Sequence, residues 1–154
     1  MANNFTAKDI SGATRTFAAK DIGSGVLVRR DYVAPSPELA DAPTPLAIAS
    51  AASTNATSVK ASSGVVFGIN LTNLSMTSVR FVKFYDKASA PAPATDSALL
   101  LAVFPIPAGA SRDITLNGGL QFSTGIAYAI VDGVASTNNT AVGANDVIGV
   151  ITYK

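Results

Sequence analysis

Between residues 64 and 72 the chain reads GVVFGINLT, and Val65, Phe67, Ile69 and Leu71 fall at alternate positions. Successive side chains of a strand point to opposite faces, so a period of two marks a half-buried β-strand. Gly64, Gly68, Asn70 and Thr72 take most of the other face, with Val66 the exception. Similar short runs recur to the end of the chain: TSVKA near Val59, SVRFVKFYD, ALLLAVFPI, RDITLNGG, LQFS, GIAYAIVDG and DVIGVITYK. Gly, Asn and Pro separate them, and NGG at residues 117–119 reads as a turn. No stripe with a period of 3.6 residues extends over a useful length, and the one helix candidate, SPELADA, is short. About eight short strands with such turns predict an all-β fold, a β-sandwich or jelly roll.

Two features qualify the pattern. In SVRFVKFYD, Val79 and Phe81 share one face while Val82 and Phe84 share the other, which predicts either a bulge or a strand covered on both sides. The longer connections, KASAPAPATDS and GVASTNNTAVGAND, are expected at exposed ends of the sandwich.

Ahead of the strand-rich part the composition changes twice. Residues 34–56 are rich in Pro, Ala and Ser and read as an extended connector, because proline fixes φ and removes a donor. Residues 1–33 contain one phrase twice, FTAKDISG and FAAKDIGSG, twelve residues apart. Neither copy is apolar enough to build a core. Joined by SGATRT, the two can pair as an antiparallel ribbon, with VLVRRDYV as a third strand. Such a ribbon is marginal in water and gains stability on another surface. The expected organisation is a docking arm (1–33), a connector (34–56) and a sandwich (57–154); the alternative is that the amino-terminal strands pack on the chain's own sandwich, against which the Pro-rich connector argues. The arm residues expected to meet a partner are Phe5, Ile10, Phe17 and Ile22, with the basic pair Arg29 and Arg30.

The chain of 154 residues has no His and no Cys. The usual general base, thiolate chemistry, serine triads of the common kind and typical zinc sites are thereby excluded. Among the acids, Asp86 and Asp96 flank a Pro-rich loop and are the one conceivable carboxylate pair, although isolated turn aspartates are commoner. The segment 132–146 has oxygen ligands but not the acid spacing of a calcium loop. Lys83 and Lys87 bracket Asp86 and read as solvated or partner-facing charges. No cluster of cations with interleaved aromatics suggests nucleic acid, no glycine-rich loop opens a helix for phosphate, and no apolar run reaches the ~18 residues of a membrane helix. The opening lacks the pattern of a signal peptide. An enzyme is not expected, nor any cofactor or metal.

Charged residues make up only 14% of the chain and the formal net charge is +1. Soluble domains usually carry about 25% charged residues, so this surface suits permanent contact with a partner, the alternative being an ordinary β-protein rich in small residues.

With these phrases on the page, the chain resembles the capsid decoration (cement) proteins of tailed bacteriophages. NNFTAKDISGATRTFAAKDIGSGV resembles their amino-terminal arms; VRFVKFYDKASAPA, FSTGIAYAIVDG and DVIGVITYK resemble their β-sandwich part. The resemblance implies a structural virion protein on the outside of a phage head, made in the host cytoplasm. It also implies a homotrimer bound to the major capsid protein, with no nucleic acid, membrane or small-molecule substrate. The alternative is a head-fibre or tail-appendage protein whose sandwich-end loops bind host carbohydrate. The absence of Trp, and the placement of Tyr32, Tyr85, Tyr128 and Tyr153 in or beside strands, weigh against sugar binding by those loops.

Overall fold

The computed structural model describes residues 4–8, 14–21 and 27–29 by their backbone, and residues 42–154 in full. The chain divides into two compact units, Met1–Leu39 and Ala40–Lys154. In the first, β1 (Asn4–Lys8) pairs antiparallel with β2 (Thr14–Asp21), with Phe5 opposite Phe17 and Lys8 opposite Thr14. Strand β3 (Leu27–Arg29) joins the free side of β2, with Arg29 opposite Ala19. Ile10, Ile22, Arg30 and most of SPELADA lie outside the described residues.

The second unit is all-β. Its eight strands are β4 (Thr44–Ala49), β5 (Thr57–Lys60), β6 (Gly64–Asn73), β7 (Arg80–Asp86), β8 (Leu100–Ile106), β9 (Ser111–Phe122), β10 (Ile126–Val131) and β11 (Val147–Tyr153). They form two antiparallel sheets, ordered β4-β11-β6-β9 and β5-β10-β7-β8. The pairing is nested: β7 with β8, β6 with β9, β5 with β10 and β4 with β11. A 3-10 turn, Ser97–Leu99, precedes β8.

Both sheets contribute to one core, as a two-layer β architecture requires. Ile48, Val66, Ile69, Leu71, Val147 and Ile151 come from the first sheet, and Val82, Phe84, Ile106, Ile126 and Ile130 from the second. Phe84 lies near the middle. Its ring meets Phe104 edge-on at 5.9 Å and Phe122 at 6.1 Å, distances typical of favourable aromatic pairs.

Three local expectations are corrected. The stretch read as a connector contains β4, which pairs with β11 from Thr44 opposite Tyr153 to Ala49 opposite Ile148. Pro45 is tolerated because β4 is an edge strand, bonded on one side only. The segments RDITLNGG and LQFS are not two strands about a turn. They are one strand, β9, which keeps β6 as its partner on both sides of a register shift. The positive φ of Gly118 (85°) and Gly119 (74°) accommodates a bulge there instead of a hairpin. The same shift, between Val66 and Gly68, changes the phase of β6. Val66 is in the core beside Ile69 and Leu71, whereas Phe67, expected on their face, is left half-exposed outside it.

Candidate functional site

The outer faces of the two sheets have different fates. On the β5-β10-β7-β8 sheet, Tyr85, Ala127, Ala129 and Val131 form a second buried cluster with Phe81 and Leu100. Lys83 lies among them, opposite Ala129, and is 0% exposed. Its Nζ donates to the carbonyls of Ala135 (2.5 Å) and Asn138 (3.2 Å), so the loop 132–146 covers this face instead of standing at the end of the sandwich. Lys83 is thus not the solvated or partner-facing charge expected from the sequence. Burial draws its ammonium below the usual lysine range. Strand β7 is covered on both sides, and it also has a register shift at Phe84 and Tyr85.

Most remaining charges are occupied internally. Arg80 is paired with Asp132, and its Nη2 donates to Asp146 Oδ2 at 2.7 Å. These acids therefore tie the loop ends to β7, and no group of metal-ligating acids occurs among the described residues. Lys87 pairs with Asp96 at 2.5 Å. Asp96 also accepts from the Ala92 N–H, and these two contacts, the Ala92 bond foremost, lower its pKa. Asp86 does not face Asp96 as a carboxylate pair. It accepts from the Ser123 hydroxyl (2.5 Å) and from the N–H groups of Ser123, Thr124 and Gly125, closing the β9–β10 turn. The Ser123 hydroxyl foremost, then the Thr124 N–H, pulls its pKa down to about 2.

At one end of the unit, three loops meet. Gly109 N–H donates to Ser75 O (2.8 Å), Asn73 N–H to Ala110 O (2.9 Å) and Leu74 N–H to Asp146 O (2.7 Å). Buried Asn73 organises them: its Nδ2 donates to Ser78 O (2.8 Å) and Ile106 O (3.0 Å), and its Oδ1 accepts from Ser75 N–H (3.0 Å). Held in this way, the loop 74–79 presents Leu74 (51% exposed), Met76 (79%) and Val79 (40%) to solvent. Exposed apolar side chains on a loop held in this way are a candidate contact surface, and methionine is suited to irregular contacts.

Among the described residues no segment covers the outer face of the β4-β11-β6-β9 sheet. Its cross-strand rows are Ala49–Ile148–Thr72–Ser111, Ala47–Val150–Asn70–Asp113 and Pro45–Thr152–Gly68–Thr115. Asp113 is the only charge in these rows. Toward β9 the face dips into a groove of about 340 Å³ lined by Phe67, Asn70, Asp113, Thr115, Val150 and Thr152. Gly68 forms part of its floor, where a Cβ would lie 2.8 Å from Thr152 Oγ1.

The sequence-predicted contact residues are thus placed only in part. Phe5 and Phe17 stand opposite each other, Arg29 is on β3, and Ile10, Ile22 and Arg30 are outside the described residues. The apolar end and the groove were not anticipated. The signal for the first was the apolar spacing in LSMTSV; for the second it was Val66, the residue that broke the alternation of β6. Comparison of the chain with protein-family models, with curated proteins and with solved structures found no match.

Proposed function

We propose that the chain is a structural virion protein: a capsid decoration protein on the outside of a tailed-phage head, bound to the major capsid protein and assembled as a homotrimer. The second unit is read as a jelly roll. The nested pairing supports this, since a ribbon of paired strands rolled into two sheets gives that order, and jelly rolls are common in capsid and lectin domains.

The observation that carries the proposal is the pattern of surface chemistry. Charges are spent inside the unit on holding its own loops, while a rigid apolar end is left exposed at Leu74, Met76 and Val79. A shell-binding protein needs a stiff body and a low-charge contact surface. Many weak contacts repeated around a shell then add through effective concentration. The amino-terminal strands, with Phe5, Ile10, Phe17, Ile22, Arg29 and Arg30, are proposed as a docking arm that reaches adjacent subunits. No enzymatic activity is proposed.

The test uses the parent phage's heads lacking the native protein. Purified wild type, a Leu74→Ser/Met76→Asp variant and a Phe5→Ala/Phe17→Ala variant are each added, and bound copies are counted. Burying two apolar side chains against a partner is worth about 3 kcal/mol, so each variant should bind roughly a hundredfold more weakly. Melting of the second unit should be unchanged. Full occupancy by both variants would refute the docking proposal.

A further inference from the structure

We infer that the groove on the open sheet is a binding site for a neutral saccharide. The inference is independent of how the chain attaches to a shell, because the groove is lined from β6, β9 and β11 and not by the loop 74–79.

Three observations lead to it. The first is hydrogen-bonding capacity left unspent. Asp86, Asp96, Asp132 and Asp146 are each engaged by protein donors. Among the described residues no such donor engages Asp113. Asn70, its cross-strand neighbour, and Thr115, two positions along β9, likewise have side chains without protein partners there. A carboxylate, a primary amide and a hydroxyl on one short stretch of sheet provide both acceptors and donors for vicinal hydroxyl groups.

The second observation is the aromatic wall. Phe67 is turned out of the core by the bulge at Val66 and Gly68, and it lines the groove beside these polar groups. A pyranose ring has an apolar face of C–H groups and a rim of hydroxyls. An aromatic side chain beside a carboxylate, an amide and a hydroxyl matches both parts.

The third is size and charge. A volume of about 340 Å³ lies within the range of small-ligand sites and admits about one or two sugar rings. Asp113 is the only charged group in the lining. With no cation in the lining, Asp113 disfavours phosphorylated, sialylated and uronic-acid ligands, and together with the hydroxyl-matching groups this favours a neutral sugar.

The experiment is a titration of the full chain, followed by amide chemical shifts. The probes are cellotetraose, maltotetraose and chitotetraose, with sialyllactose and trigalacturonate as anionic comparisons. In parallel the chain is screened on an array of bacterial surface glycans, and neutral hits join the titration. The expected result is saturable shifts at Gly68, Asn70, Asp113, Thr115 and Val150 with at least one neutral glycan, and none with the anionic pair. Phe67→Ala and Asp113→Ala should each weaken binding about tenfold or more, and Thr115→Trp, which fills the groove, should abolish it. All three positions lie outside the buried core, and unchanged melting of each variant separates lost binding from lost folding. The inference is overturned if no neutral glycan in the panel or array binds, if shifts fall elsewhere, if anionic glycans bind better, or if binding survives Phe67→Ala and Asp113→Ala. A peptide or protein occupying the groove in place of sugar would appear as the first of these results.

Discussion

Replacing Asn73 by Ala perturbs the device that fixes the apolar end of the second unit. Asn73 is buried and makes three side-chain hydrogen bonds, to Ser78 O, Ile106 O and the Ser75 N–H. Its own backbone bond to Ala110 survives the substitution. A typical internal hydrogen bond contributes about 1 kcal/mol net, and a partner left buried without a replacement costs about 1–3 kcal/mol. Ser75 and Ser78, on the surface loop, can recruit water, whereas the Ile106 carbonyl bond is internal. The expected cost is therefore about 3 kcal/mol. For a domain of this size each kcal/mol corresponds to about 3–5 °C, so melting should fall by roughly 10 °C. Thermal unfolding followed by circular dichroism measures this, and limited proteolysis reports opening of the loop 74–79. Asn73→Asp provides a second reading. It keeps the acceptor for Ser75 but sets a carboxylate against two carbonyls, so it should be at least as damaging near neutral pH. Acidification should narrow the deficit, because the protonated acid can donate one bond. Melting within about 2 °C of wild type for Asn73→Ala would show that the loop is held by something else.

Other consequences follow from the same contacts. The Tyr85 hydroxyl is buried without a hydrogen-bond partner among the described residues, so Tyr85→Phe should leave stability unchanged or raise it by up to about 1 kcal/mol, as denaturant unfolding would report. Gly149 has φ +142°, and a Cβ there would lie 2.1 Å from Asn70 O. Gly149→Ala should therefore destabilise the unit by at least about 2 kcal/mol, and a variant melting normally would contradict the close approach of β11 to β6. The folded Asp86 titrates near 2, below the ordinary aspartate value of about 3.9, so its contribution is present above about pH 4 and is lost as pH falls toward 2. Stability curves of wild type and Asp86→Asn should differ at neutral pH and converge in strong acid. A gap that persists at pH 2 would show that the carboxylate charge is not what holds the 123–125 turn.

The strand character of the second unit was legible because a sheet with one buried face imposes a period of two on its residues. Val147, Ile151 and Tyr153 of β11 lie toward the core as their spacing implies. The failures share one cause: the deciding partner is distant in sequence. Strand β4 was hidden because Pro45 and the surrounding alanines look like a connector, and only pairing with β11, a hundred residues away, makes them an edge strand. NGG was read as a hairpin because local turn chemistry cannot reveal that β6 remains the neighbour on both sides. Lys83 looked solvated because the carbonyls that receive it belong to the loop 132–146. Phe67 is the instructive residue for function. Alternation places it in the core, and the register shift between β6 and β9, where three extra residues of β9 are looped out, leaves it partly exposed and lining the groove.

The most direct test of the decoration-protein proposal is a cryo-EM reconstruction of the phage particle that carries this chain. The account predicts three copies of the two-sheet unit on the outer surface where capsid subunits meet. Leu74, Met76 and Val79 should be buried against protein, with the amino-terminal strands extended along neighbouring subunits. Absence of the chain from the head, or a unit attached there with Met76 facing solvent and its amino-terminal strands touching no other chain, would contradict it.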